Sequence, residues 1–275
     1  VNAVRVALRI AYIGSVYHGS QIQPEVPTIE GKLFAALREL EIIEDPASSR
    51  FASSGRTDAG VNAMGQVIAF DTDKPGLAIP RVINSKLPSD IWAWAHAGVA
   101  GDFHPRKYAR SRIYRYIIPA DDYDISLIRS SSRLLLGTHD FANFCITEEG
   151  RSTVRTIEKI DVRLSGSLLK VDIEANSFLW KMVRKIVTAL TMVGSGARNT
   201  EWLENMLDPS SYEEGLEAAS PYGLILMDVD YGDSVEWITD GYAMRRSTEK
   251  VQEYLMYHRV MAEVMAQFLP RIKEE

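Results

Sequence analysis

The chain has 275 residues, 46 % hydrophobic and 25 % charged, a composition that suits one large folded domain or about two smaller ones. It excludes a wholly disordered protein, and no run approaches the roughly 18 consecutive apolar residues of a membrane-crossing helix. The net charge of −6 is unevenly laid out: residues 201–240 hold eleven acids and no Lys or Arg, so the other 235 residues carry +5.

In chain order, Val4–Tyr12 sets bulky apolar residues at alternate positions and reads as a half-buried strand. Thr28, after Pro27, is a candidate N-cap with Glu30 favourable in the first turn, and Ile29, Leu33, Phe34, Leu37 and Leu40 share one face of the helix it opens. Gly65–Asp71 reads as a strand, and residues 78–96 as a helix followed by a strand. These make a first half, residues 1–104. A second half, residues 105–234, opens with the strand Arg112–Pro119 and a hairpin, Ile157–Ser165 and Ser167–Ala175, turning at Gly166. Its helix spans Phe178–Val193, with Leu179, Met182, Val183, Ile186, Val187, Leu190 and Val193 on one face and Gly194 placed as a C′ glycine. Gly223–Tyr231 is its last strand. Residues 235–275 form an extension with an amphipathic helix from about Thr248 to Phe268. The pattern predicts an α+β fold: two similar α/β halves sharing a mixed, mainly antiparallel sheet, with the active-site cleft between them.

A single cysteine, Cys145, forms neither an internal disulfide nor a Cys-based zinc site. Val1–Arg5 lacks the basic and apolar regions of a secretory signal, so a cytoplasmic protein is expected. Residues 101–116 hold Arg106, Lys107, Arg110, Arg112 and Arg115 against Asp102 alone, a local +4. A polyanion responds to local potential rather than net charge, although such a run also suits a solvated strand face.

The segment Ser53–Ala63 packs small residues, Gly55, Gly60, Arg56 and Asp58 into eleven positions just before a strand. Small residues allow close approach, and Arg56 and Asp58, two apart in extended chain, point to one side. By itself this also fits a surface turn. Gly55–Ala63, however, resembles the signature of the tRNA pseudouridine synthase A family. Tyr12–Ser15 with His18-Gly19 and Gln21–Gln23, Thr28–Gly31, Phe103–Arg106 with Ala109–Tyr116, Gly137–Phe141, Phe178–Arg184, and Gly223–Leu226 with Val229–Tyr231 are similar to further blocks of the same family, in family order, over residues 12–231. Asn62 stands where the family has His, Ser20 where it has Trp, and Pro24 follows the Gln pair. The chain looks closest to archaeal members.

The resemblance implies isomerisation of uridine to pseudouridine in tRNA, in the anticodon arm just 3′ of the anticodon. The glycosidic link moves from N1 to C5 without cofactor or metal. It implies that Asp58 is the nucleophile, attacking C6 of the uracil or C1′ of the ribose. Burial alone favours a protonated acid, so a fixed cation is needed beside it, and the resemblance supplies Arg184. Tyr114 would stack on the base and handle the C5 proton, and Leu224 would form an apolar wall. The uridine has to be extruded from its stack, and Arg56 is a candidate to hold the backbone or fill the space. Arg110, Arg112, Arg115, Lys181 and Lys185 are expected to meet phosphates. A homodimer with one tRNA touching both copies is implied, with no membrane partner.

Other chemistries find less support. There is no Asp-(Thr/Ser)-Gly turn for an aspartic protease, no P-loop, no Gly-x-Ser-x-Gly elbow and no partner acid identified for a glycosidase. The five histidines show no i, i+4 pair. The alternative from another class is a non-catalytic RNA-binding or RNA-chaperone protein on the same fold. Retention of Asp58, Tyr114 and Arg184 together speaks against it, because binding needs only a basic surface.

Overall fold

The computed structural model describes residues 3–120, 122–210 and 216–269. The first part of the chain runs β1 (Val4–Tyr12), α1 (Ile29–Glu39), β2 (Ala52–Ser53), β3 (Asn62–Thr72), α2 (Pro80–Ile83) and β4 (Ile91–Gly98). It continues through β5 (Ser111–Pro119), α3 (Ile125–Ser132), β6 (Gly137–Asp140), β7 (Val154–Ser165), β8 (Leu168–Ala175) and α4 (Met182–Gly194). It ends with α5 (Thr200–Asn205), β9 (Leu224–Asp230), β10 (Ile238–Thr239) and α6 (Gly241–Ala266).

The fold is α+β. One ten-stranded sheet runs in the order β10-β4-β1-β3-β9-β5-β8-β7-β6, with β2 paired to β3 off this path. Pairings are antiparallel except β3 with β9, which run parallel and place Asn62 opposite Ile225 and Ala63 opposite Leu226. That short parallel contact joins the two sides of the sheet. It sets the end of the 54–61 loop beside the start of β9. One core gathers α1 (Ile29, Leu33, Leu37) with β1, β3 and β4, and the other gathers α4 (Ile186, Leu190, Val193) with β5, β7 and β8.

Local chemistry explains the elements. Thr28 caps α1 as expected, its Oγ1 accepting the Gly31 N–H at 3.2 Å. The hairpin turns at Gly166, whose φ of 62° favours glycine. The expected Phe178–Val193 helix begins only at Met182. Lys181 is left-handed (φ 62°), and Phe178–Trp180 are turned toward the cleft instead of the helix face. Gly194 closes the helix from within; a Cβ there would lie 2.5 Å from Ile128, so close packing requires the glycine. The positive-φ glycine that follows is Gly196. The short elements α3, β6 and α5 give no periodic signal to read in the sequence.

The C-terminal helix starts seven residues earlier than the pattern suggests and buries only Ala243. The start is set by Asp240, whose Oδ1 accepts the N–H groups of Tyr242 and Ala243 while Arg81 donates to both carboxylate oxygens at 2.8 and 3.1 Å. The Arg81 hydrogen bond, against burial and helped by the helix-start N–H groups, lowers the Asp240 pKa from 3.8 to about 2. A carboxyl depressed in the folded state contributes its full stability above its ordinary value and loses it as pH falls through the folded one. Asp240→Ala is therefore expected to lower stability by about 1–2 kcal/mol at neutral pH. In thermal melts the gap to wild type should stay constant down to about pH 4 and then narrow toward pH 2. A gap unchanged at the acid end would show that the charge contributes nothing.

Candidate active site

The site is built on the 54–61 loop between β2 and β3, and hydrogen bonds fix that loop on both sides. Thr57 is buried; its N–H donates to Ser20 Oγ at 2.8 Å, its carbonyl accepts the Ser20 N–H at 3.0 Å, and its hydroxyl meets Tyr12 Oη at 2.8 Å. Burial, partly offset by that hydrogen bond, pushes the Tyr12 pKa up to about 12. Gln66 on β3 donates to the Gly55 carbonyl at 2.8 Å. Asn62 accepts the Gly14 N–H at 2.9 Å and donates to the carbonyls of Tyr222 and Leu224 at 2.9 and 3.3 Å, tying the loop to the start of β9. Gly14 packs so closely that a Cβ would lie 2.0 Å from the Val61 carbonyl oxygen. Ser20 and Asn62, two of the three departures from the family pattern, are thus both hydrogen-bonded into the loop's frame.

Asp58 opens from this loop into a cleft of about 440 Å³ whose lining includes Arg56, Arg106, Arg112, Tyr114 and Trp180. An adjoining recess adds Lys181, Arg184 and Leu224. Arg184 Nη1 donates to Asp58 Oδ2 at 2.9 Å, with side-chain exposures of 12 % and 29 %. Its Nε donates to the Ala219 carbonyl at 2.5 Å, which fixes the guanidinium. The second carboxylate oxygen, Oδ1, accepts the Trp180 indole N–H at 3.0 Å. Arg184 lies in the first turn of α4, the helix that packs on β5, β7 and β8, so the cation comes from the second half of the chain while the carboxylate comes from the first.

Tyr114 lies on β5 where the pairing with β9 slips between Ile113 and Tyr114. Such an irregularity re-aims side chains at a sheet site. Its ring meets Phe178 edge-on at 5.0 Å between centroids. Burial, followed by the nearby phenol of Tyr12, raises its pKa above the ordinary phenol value, and the Asp58 charge adds to this. The hydroxyl is therefore neutral at pH 7. Leu224, 6 % exposed, supplies an apolar surface beside it.

Not every expected residue reaches the cleft. Arg115 points to the other face of β5 from Tyr114 and pairs with Asp172 at 2.6 Å. Arg110 is exposed and lies against Gly232, away from the lining. Arg112 lines the cleft, but its guanidinium donates to the carbonyls of Asn176 and Arg106 at 2.8 Å each, and burial lowers its pKa. Lys185 Nζ donates to the Cys145 carbonyl at 3.2 Å. Lys181 Nζ sits 5.6 Å from the centre of the Trp180 ring. Of the acidic block, Asp228 pairs with Arg9, and Glu213 and Glu214 lie outside the described residues.

Three residues of the cleft lining were not singled out by the sequence: Trp180, Phe178 and Arg151. The first two lie inside the Phe178–Arg184 block, where Trp180 is four residues before Arg184; that spacing was the available signal. Arg151 follows Gly150 in a short turn and pairs with Glu148, and nothing local marks it. It gathers with Arg56 near Arg106, whose pKa is lowered by burial and then by those two positive charges. Among the described residues no group of three or more His, Cys, Asp or Glu side chains is placed to hold a metal, and no helix is long and apolar enough to cross a membrane.

Comparison with known proteins gives a consistent result. A family profile described as tRNA pseudouridine synthase matches residues 132–232. The tRNA pseudouridine synthase A of Methanococcoides burtonii is 61 % identical over 97 % of this chain and 97 % of its own length. That of Methanosarcina acetivorans is 58 % identical over 97 % and 99 %, and that of Archaeoglobus fulgidus 44 % identical over 96 % and 97 %.

Proposed function

The chain belongs to the tRNA pseudouridine synthase A family and is an isomerase that converts uridine to pseudouridine in tRNA; from that premise we propose that Asp58 is its nucleophile, Arg184 its fixed counter-charge, Tyr114 and Leu224 the walls of its base site, and the anticodon stem-loop, just 3′ of the anticodon, its target. The observation that carries the reading is the carboxylate–guanidinium pair at 2.9 Å in a cleft shared with the half-buried phenol of Tyr114. A carboxylate becomes useful as a nucleophile when it is kept ionised and aimed, and it leaves readily in the second step.

In the proposed reaction Asp58 attacks C6 of the uracil or C1′ of the ribose of an extruded uridine. The N1–C1′ bond breaks, the freed base turns over between Tyr114 and Leu224, and a C5–C1′ bond forms. The C5 proton leaves, N1 takes up a proton, and the carboxylate is released unchanged, so substrate and product are isomers. A phenol held neutral stacks on the base and relays the C5 proton, rather than standing ready as a phenolate. Extrusion costs a few kcal/mol, and Arg56, Arg106 and Arg151 are placed at the cleft to repay it through phosphate contacts. Lys181 is a further candidate for such a contact. We divide the chain near residues 104 and 105 into two α/β halves of similar build that meet at this cleft, followed by the 235–275 extension. The family resemblance supports a homodimer with one tRNA touching both copies.

The position assignment is tested by incubating an unmodified tRNA transcript with the protein and mapping pseudouridine by carbodiimide modification and primer extension. New stops are expected in the anticodon stem-loop 3′ of the anticodon. Stops confined to another arm would overturn the target assignment while leaving the reaction in place.

A further inference from the structure

Residues 177–181 reach both sides of the cleft while belonging to no helix or strand. Phe178 buttresses Tyr114, and Trp180 touches the carboxylate itself. Trp180 is 49 % exposed, so burial of its ring does not account for where it sits. Its placement comes from three local features. Its carbonyl accepts the Ile146 N–H at 3.0 Å, the Lys181 ammonium lies 5.6 Å from its ring centre, and the left-handed Lys181 makes the turn between the loop and α4. A non-glycine residue at φ 62° persists only where its surroundings over-determine it, and such residues cluster at functional sites.

We propose that Trp180 is a positioning residue for the isomerisation, its indole N–H fixing the plane of the Asp58 carboxylate so that a free lone pair faces the reacting carbon. The last torsion of an aspartate is broad and weakly held by its own rotamer preference. Arg184 meets Oδ2 through Nη1, with its Nε spent on Ala219. That single contact leaves the carboxylate free to swing about it. The Trp180 bond to Oδ1 is a second anchor, and two anchors on two oxygens define the plane. Each carboxylate oxygen accepts up to two hydrogen bonds. Arg184 and Trp180 take one apiece, which leaves a lone pair on each oxygen for attack. Because the donor is neutral, it orients the carboxylate without adding a second counter-charge that would quench it.

This inference rests on Asp58 being the nucleophile, and its test separates the two. Trp180→Phe keeps an aromatic ring and removes the donor. Replacement of Trp180 by benzothienylalanine, in which sulfur takes the place of the indole N–H, keeps the full ring shape. Both are expected to slow single-turnover pseudouridine formation in a tRNA transcript by about 10- to 100-fold, the scale of a small misplacement of reacting groups. Transcript affinity should stay within about threefold of wild type, since a contact used in positioning is not a binding contact. In ¹⁵N-tryptophan spectra, the indole resonance that disappears in Trp180→Phe is expected to move when Asp58→Ala removes its acceptor. Full or increased rate in both Trp180 variants overturns the proposal. So does a loss that appears in affinity rather than rate, which would make Trp180 an RNA contact, or an indole signal indifferent to Asp58→Ala. If Asp58→Ala itself retains activity, the nucleophile assignment fails whatever Trp180 does.

Discussion

Asp58→Ala is expected to eliminate tritium release from tRNA labelled at uridine C5, a loss of at least about four orders of magnitude, with tRNA affinity within about threefold of wild type. The size follows from the role proposed for the residue. A nucleophile that makes and breaks a covalent bond has no substitute when its neighbours are a guanidinium and an indole, both of them donors. The affinity is spared because Asp58 is a negative charge facing a polyanion, so removing it deletes no phosphate contact. Asp58→Asn is the stricter comparison. It keeps shape and an acceptor oxygen, and should be as inactive as the alanine variant if nucleophilic attack is the requirement. Tritium release above about 0.01 per cent of wild type from either variant would overturn the assignment.

Arg184→Met should lower the single-turnover rate by about 10²- to 10⁴-fold, the kinetic equivalent of the roughly 3–5 kcal/mol lost when one member of a substantially buried ion pair is removed. The side chain is 12 % exposed, and its guanidinium bridges Asp58 and the Ala219 carbonyl. Deleting it therefore leaves two acceptors without their donor. Arg184→Lys should recover only part of the loss, because an ammonium supplies charge without the fixed fork that spans both acceptors. A binding role predicts something different: both variants would lose affinity, the loss would flatten the dependence of log affinity on log salt by about one contact, and bound turnover would be unchanged. The salt series with both variants decides between these outcomes.

Much of the architecture is legible from short-range patterns. Alternation in Val4–Tyr12 and in Arg112–Pro119, the Thr28 cap and the turn at Gly166 act within a few residues, and each predicts an element that the structure contains. Patterning fails where a segment answers to something distant. Phe178 and Leu179 lie at helical spacing with Met182 and Val183, yet the helix excludes them because Phe178 packs on Tyr114 and Trp180 on Asp58. The amphipathic pattern of the last helix predicts a buried face that α6 does not have.

The basic run at residues 101–116 shows the same division. Composition locates the charge but not its direction. Strand alternation sends Arg115 to Asp172 on the far face, Arg112 is used on backbone carbonyls, and Arg106 faces the cleft beside Arg56 and Arg151.

The amino-acid order alone determined the family, and it set the proposed site residues Asp58, Tyr114 and Arg184 within blocks whose residue types and spacing are local properties of the chain. Tertiary structure decided how those groups work together. A two-residue parallel contact between β3 and β9, a slip in the β5 pairing and one left-handed lysine bring side chains up to 126 positions apart to hydrogen-bond distance. The orientation of a carboxylate depends on donors from distant segments, and such partners become neighbours only when the sheet closes and both cores pack.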